Sequence, residues 1–286
     1  MLCTISPNRI GHNLSIYDAA ETIAENGYFK GYFSWDLAWD LSKGVEETKR
    51  VYREYDLIPT GFTLPCIPVI YSEPDEFFER DKNIIDNLVR QAAEVGYDHA
   101  FTWIVPGSDL YEMQENYDIH VRRLREICRI FARYGLKLAI EFIGSMTWCK
   151  EFKYPFIRHM GEGVQLCRDV GEPNIGISLD TYHVYTAGDT AEDYDKYFTD
   201  VTQIVETHIN DAIPGIARED HLDDKRMLPV ESGVVDTAAF FNCLNRLGYT
   251  GSIMPEPYSQ RIVDMPFAEA LKEVELSMRR AFERYC

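Results

Sequence analysis

The 286-residue chain is poor in positive charge, with 29 Lys and Arg against 47 Asp and Glu and a formal net charge of −18. Phosphate contacts draw their affinity from Lys and Arg, so nucleic acid and anionic membrane are disfavoured as principal partners. The seven cysteines are an odd, scattered set without a C-x-x-C pair. That pattern opposes a secreted disulfide framework and fits reduced thiols in the cytoplasm. No apolar run approaches the ~20 residues that span a bilayer; the longest, GFTLPCIPVIY, carries two prolines. MLCTISPNRI has no basic flank ahead of an apolar core, so no signal peptide is expected. There is no low-complexity stretch and no Pro/Gly/Ser-rich linker. Disorder is disfavoured too, because 45% of the residues are hydrophobic and 13% aromatic, enough for a large core.

What is present is an alternation of short apolar runs and longer helical stretches. Strands are predicted at 2–5, 28–33, 58–64, 99–105, 137–142, 175–179, 204–210 and 252–255. Helices are predicted from a cap at Ser15 to residue 26, then at 45–55, 75–95, 113–134, 157–170, weakly at 192–198, and at 237–247 and 267–285. In the fourth of these, Val121, Leu124, Ile127, Cys128 and Phe131 share one face at helical spacing. Eight strands, each followed by a helical stretch, predict an α/β fold: a single-domain (β/α)8 barrel over 1–286, a class that commonly runs to roughly 250 residues. A doubly wound open sheet is the alternative, but no G-x-G-x-x-G follows the first strand, so its nucleotide-binding form has no support.

In such a barrel the active site lies at the C-terminal ends of the strands. Glu141 ends the fifth (AIEFIG), Asp180 the sixth (ISLDTYH), His208 the seventh (THINDA) and Glu256 the eighth (IMPEPY). A carboxylate on an apolar strand is costly to bury unpaired, and one cation satisfies several at once. Three carboxylates and one imidazole suit Mn²⁺, Mg²⁺, Co²⁺ or Zn²⁺. Asp211, just beyond the seventh strand, reads as a turn or cap residue.

AIEFIGS, IGISLDTYHVYTAG, ETHINDAIPGI, RMLPVESGVVD and IMPEPY, in this order, resemble the xylose-isomerase-like barrels. Within them they are similar to the sugar phosphate isomerase/epimerase group that includes inosose isomerase, the ketose 3-epimerases and the larger subunit of C-glycoside deglycosidases. The motifs run from about Lys137 to Glu256; the first half of the chain matches only in barrel rhythm. The resemblance implies one divalent ion, Mn²⁺ foremost, held by Glu141, Asp180, His208 and Glu256. It implies substrate contacts from His183 and from Arg226, in the long loop after the seventh strand. Val230 stands in that loop where the family commonly has glycine. Arg226 could instead pair with Asp223 or Asp224 at the surface.

The chemistry implied is proton abstraction beside a carbonyl of a sugar, keto-sugar or cyclitol, through an enediolate. Glu141 and Glu256 would move protons and His183 would assist. The same site could carry out β-elimination on a 3-keto-glycoside as a deglycosidase subunit. Aromatics near the rim, among them Trp35, Trp103 and Tyr258, suit sugar rings and aglycones alike, and Lys150 is a further candidate contact. A non-catalytic sugar-binding barrel and an abasic-site endonuclease are the remaining alternatives; the acidic charge and sparse histidines oppose the latter. The expected partner is a small carbohydrate or glycoside. A homo-oligomer is expected, with a small second subunit if the chain is a deglycosidase.

Overall fold

The computed structural model describes residues 1–65 and 74–286, so Cys66 and part of GFTLPCIPVIY lie outside the described residues. Eight parallel strands close into a barrel: β1 (Leu2–Ile5), β2 (Gly31–Ser34), β3 (Ile58–Thr63), β4 (His99–Ile104), β5 (Lys137–Phe142), β6 (Ile175–Asp180), β7 (Ile204–Ile209) and β8 (Ser252–Pro255). Each strand pairs with its neighbours in sequence order, and β8 closes on β1 with Leu2 opposite Ser252. The surrounding helices are α1 (Ile16–Asn26), α2 (Val45–Glu54), α3 (Asp75–Val95), α4 (Met113–Ala132), α5 (Met160–Val170), α6 (Ala191–Tyr197), α7 (Thr237–Leu247) and α8 (Phe267–Tyr285). Closure is the expected outcome of repeated βα units of this length, and it leaves no open sheet edge.

Among the described residues the core has one large part and two small ones, one of them formed by Tyr182, Ala212 and Val235 beside the ends of β6 and β7. A large apolar layer lies between the helices and the outer face of the sheet, including Ile23, Val89, Leu124, Phe131 and Met278. A separate small cluster, Phe33, Phe101 and Met254 with Trp103 against it, includes the residue beside His208 in the pairing of β8 with β7. Side chains alternate across each strand, so one set faces the helices and the other the barrel interior.

Several boundaries shift for local reasons. Ser15 occupies the N-cap of α1, but its hydroxyl binds Asp18 Oδ2 at 2.6 Å, and the Ile16 N–H is taken by Asp40 Oδ1 at 2.7 Å. The helix expected from residue 157 starts at Met160, because His159 and Glu162 form a reciprocal capping box. Among the described residues, four short helices were not anticipated: Leu37–Asp40, Met146–Cys149, Thr181–Ala187 and Gln260–Val263. A two-stranded ribbon, Gly107–Ser108 with Tyr154–Pro155, also decorates the loops. Each is too short to carry a hydrophobic period. The six cysteines among the described residues are all free, in keeping with the absence of a disulfide pattern. No helix among them is long and apolar enough to cross a membrane.

Candidate functional site

Glu141, Asp180, His208 and Glu256 come together at the C-terminal mouth of β5–β8, each offering a donor atom within 4.8 Å of the others. All four are buried. His208 Nδ1 lies 2.9 Å from Glu141 Oε1, 3.7 Å from Asp180 Oδ2 and 3.5 Å from Glu256 Oε2. The pairing register explains the convergence: Asp180 lies beside His208 across β6 and β7, while β8 places Met254 beside His208 and Glu256 just past its end.

The connections beyond the strands complete the site. Asp180 caps the helix Thr181–Ala187, its Oδ1 accepting the Tyr182 N–H at 2.6 Å. That puts His183 on the first helical turn, with Nε2 3.6 Å from Glu141 Oε2. Gly144 allows the approach, since a Cβ there would fall 2.0 Å from the His183 carbonyl oxygen. Asn210 ties β6 to β8: its amide donates to Asp180 Oδ2 at 3.1 Å, and its Oδ1 accepts the Glu256 N–H at 2.7 Å.

Arg226 enters from the long β7–α7 loop and is buried. Its Nη1 donates to Asp180 Oδ2 at 2.9 Å and to Glu256 Oε2 at 2.8 Å. Its Nε also donates to the Asp223 carbonyl at 2.9 Å and its Nη2 lies 3.5 Å from Asp223 Oδ1, so the expected pairing with Asp223 is present, on a guanidinium that is buried rather than at the surface. Two backbone hydrogen bonds between Asp211 and Met227, 3.0 and 2.8 Å, fix the loop against the end of β7. The Asp211 carboxylate accepts N–H groups from Ala212, Ser232, Gly233 and Val235 at 2.6–3.0 Å, the capping role expected of it. Val230 adopts φ 54°, a left-handed conformation that disfavours a β-branched residue. The loop therefore keeps the turn that a glycine would make and bears the strain. Glu231 supports that turn by accepting the Leu228 N–H at 3.0 Å and pairing with Arg261 at 3.1 Å.

Trp103 lies opposite Glu141 in the β4–β5 register and stacks on Trp35, with ring centroids 6.4 Å apart. Lys150 is exposed at the end of Met146–Cys149, and no described contact joins it to the cluster. Four further participants were not singled out from sequence. Arg9, buried just after β1, pairs with Glu256, donates to Tyr258 Oη at 2.9 Å and lies over Trp35 and Phe101, 4.6 Å from each ring. Nothing in SPNRIG marks it. Asn210 stood in plain view, two residues past His208. Glu206 and His99 lie deeper in the barrel, 2.8 Å apart. A charged residue at the centre of IVETHI was the available signal for Glu206.

The electrostatics follow from this packing. Burial pushes the Glu141 carboxyl up, but His183 and His208 outweigh it and hold it down at about 2. Burial opposes ionisation of Asp180 also, and Arg226 and the histidines lower it well below the usual carboxylate range. Burial would lower His208, yet Asp180, Glu141 and Glu206 raise it. The groups fit a divalent cation: three carboxylates and an imidazole converge in a buried space, and the side chains within ion-pair distance of Glu141 among the described residues are His183 and His208. This is a hard, oxygen-rich donor set with one borderline nitrogen.

The family model of the xylose isomerase-like TIM barrel matches residues 17–281. The chain belongs to that family. An inosose isomerase from Halalkalibacterium halodurans is 27% identical over 157 residues, covering 53% of this chain and 50% of the relative. The chain thus spans about half the length of the curated relatives it matches. Among solved structures, the IolI protein with a bound zinc atom superposes with a TM-score of 0.84 at 16% identity, covering 100% of this chain and 99% of that one. D-psicose 3-epimerase with D-tagatose, from Clostridium cellulolyticum H10, superposes with a TM-score of 0.73 at 15% identity, covering 99% of each. At such identities these structures establish the shared fold. The chain is thus similar to curated inosose isomerases and shares its fold with a D-psicose 3-epimerase, and its own strand ends form a group of side chains that could hold a metal ion.

Proposed function

We propose that this barrel is a divalent-metal-dependent isomerase or epimerase that removes a proton beside the carbonyl of a sugar, keto-sugar or cyclitol. The observation that carries this reading is the buried Glu141–Asp180–His208–Glu256 cluster with His183 and Arg226 against it. When bound, a divalent ion, Mn²⁺ foremost, would supply Lewis acidity to a substrate carbonyl and its neighbouring hydroxyl.

The chain's own residues do the rest. Glu141 is held ionised, the form in which a carboxylate can accept a proton, with Oε1 beside His208 and Oε2 beside His183. His183, beside Glu141 Oε2, holds or passes a proton to a substrate hydroxyl. Glu256, whose Oε1 accepts from Tyr258 Oη at 2.8 Å, is the second proton-handling carboxylate. Removal by Glu141 and return from Glu256 in its protonated form inverts a carbon, leaving Glu141 protonated and Glu256 ionised until solvent exchange resets them. Return of the proton to the neighbouring carbon, with the hydroxyl proton passed to the former carbonyl oxygen through His183, isomerises. Arg226 orients substrate oxygens and offsets the carboxylates it touches. The stacked Trp35–Trp103 pair favours one second reading, in which the carbanion expels a leaving group by β-elimination from a 3-keto-glycoside.

The test is a panel of ketoses, inososes and 3-keto-glycosides in D₂O with Mn²⁺. Deuterium at one carbon of an isomerised or epimerised product is expected, together with loss of turnover on chelation. Release of an aglycone would select elimination instead. Glu141→Gln should lower turnover at least about 10²-fold, the usual scale of general acid–base help. Unchanged turnover in that variant would overturn the proposal.

A further inference from the structure

We propose that Glu206 and His99 are positioning residues for His208: a buried carboxylate–imidazole pair that fixes which ring nitrogen faces the candidate metal centre, and thereby sets its affinity for a divalent ion. The inference rests on the metal reading above.

Glu206 and His208 are two residues apart on β7, so both point into the barrel. His208 directs Nδ1 at the three carboxylates and Nε2 at Glu206 Oε1, 3.5 Å away. His208 Nε2 and Glu206 Oε1 are both buried, and neither has a hydrogen-bond partner among the described residues. They face one another, so a small ring rotation satisfies both. With its proton on Nε2, held by Glu206, the imidazole presents the Nδ1 lone pair to the carboxylate cluster. A carboxylate behind a metal-binding histidine fixes the tautomer and raises the basicity of the donor.

His99 secures the other carboxylate oxygen, with its Nε2 2.8 Å from Glu206 Oε2. It reaches across the interior from the start of β4, and Gly61 on β3 leaves the room, since a Cβ there would fall 2.2 Å from His99 Nε2. Both residues are almost wholly buried, His99 at 2% and Glu206 at 1% exposure. Barrel interiors are usually filled by branched apolar side chains. Replacing a buried ion pair with apolar residues of similar volume is often neutral or stabilising. Fold stability alone therefore gives no reason for this pair, whereas its contact with His208 does.

The test is Mn²⁺ binding to the metal-stripped full chain, by competition with a chromophoric chelator, with the visible spectrum of the Co²⁺ form as a second readout. The double variant Glu206→Leu/His99→Leu should remain folded by circular dichroism. Its Mn²⁺ affinity should fall 10–100-fold, the usual scale for outer-shell partners, and its Co²⁺ bands should shift. If that variant does not fold, Glu206→Gln, which keeps the shape and an acceptor oxygen, should fold and weaken binding by about 10-fold with a smaller spectral shift. Affinity and Co²⁺ bands like those of the unaltered chain, in a folded variant, would overturn the positioning role alone. An unaltered chain that binds neither Mn²⁺ nor Co²⁺ would overturn the metal reading, and this proposal with it.

Discussion

Arg226 shows how far one residue's role depends on its surroundings. In sequence it sits among Asp220, Asp223 and Asp224 and resembles a surface charge. In the fold it is buried, with one nitrogen shared between Asp180 and Glu256 and its guanidinium over Tyr182 and Tyr258. Hydrogen bonds to charged groups contribute about 1.5–3 kcal/mol. Arg226→Met should therefore lower kcat/KM about 10–10²-fold on whichever substrate the panel identifies. Arg226→Lys should rescue little, because a compact ammonium cannot reproduce the planar set of donors. Steady-state kinetics check both, and unaltered kcat/KM in Arg226→Met would separate this residue from substrate handling. The four candidate ligands were legible because each ends an apolar strand, where an unpaired carboxylate is costly. Arg9 was not, since its meaning comes from the closure of β1 against β8, which brings it to Glu256.

At the scale of elements, strands and long helices were legible and loop architecture was not. The spans of β1, β5, β8, α3, α7 and α8 coincide with those expected, because a sustained apolar period bounded by turn residues is a local property. The loop RMLPVESGVVD has no period. Its path is set by one carboxylate, Asp211, which gathers N–H groups from three residues beyond position 230. Asp211→Ala would leave several buried donors without an acceptor, at about 1–3 kcal/mol for each that water cannot reach. A loss of about 3 kcal/mol, or roughly 6–12 °C in Tm at this chain length, is expected. Activity should fall further than stability alone explains, since the same loop carries Arg226. Calorimetry and kinetics on Asp211→Ala, with Asp211→Asn as a partial rescue, check this. A variant with unchanged Tm would show that the carboxylate does not hold the loop.

At the scale of the whole molecule, a charged pair inside the barrel couples stability to pH. Burial would lower the His99 imidazole, but the charges of Glu206 and Asp98 overcome it and push it up to about 9. Its ordinary value is 6.5. Below pH 6.5 the contribution is fully present, and it fades as pH rises through about 9. Tm should fall across that window in the unaltered chain and much less in His99→Gln. A pH-independent Tm in the unaltered chain would refute the assignment. The strand–helix rhythm, and with it the barrel class and the carboxylates and histidine at the strand ends, is written in the chain, because hydrophobic period and turn chemistry act over a few residues. The company those groups keep is not. His99 meets Glu206, Arg226 meets Asp180, and Arg9 meets Glu256 only when strands distant in sequence close into one ring. Long-range pairing is set by the geometry of closure and the space that each interior side chain leaves, and no local pattern records it.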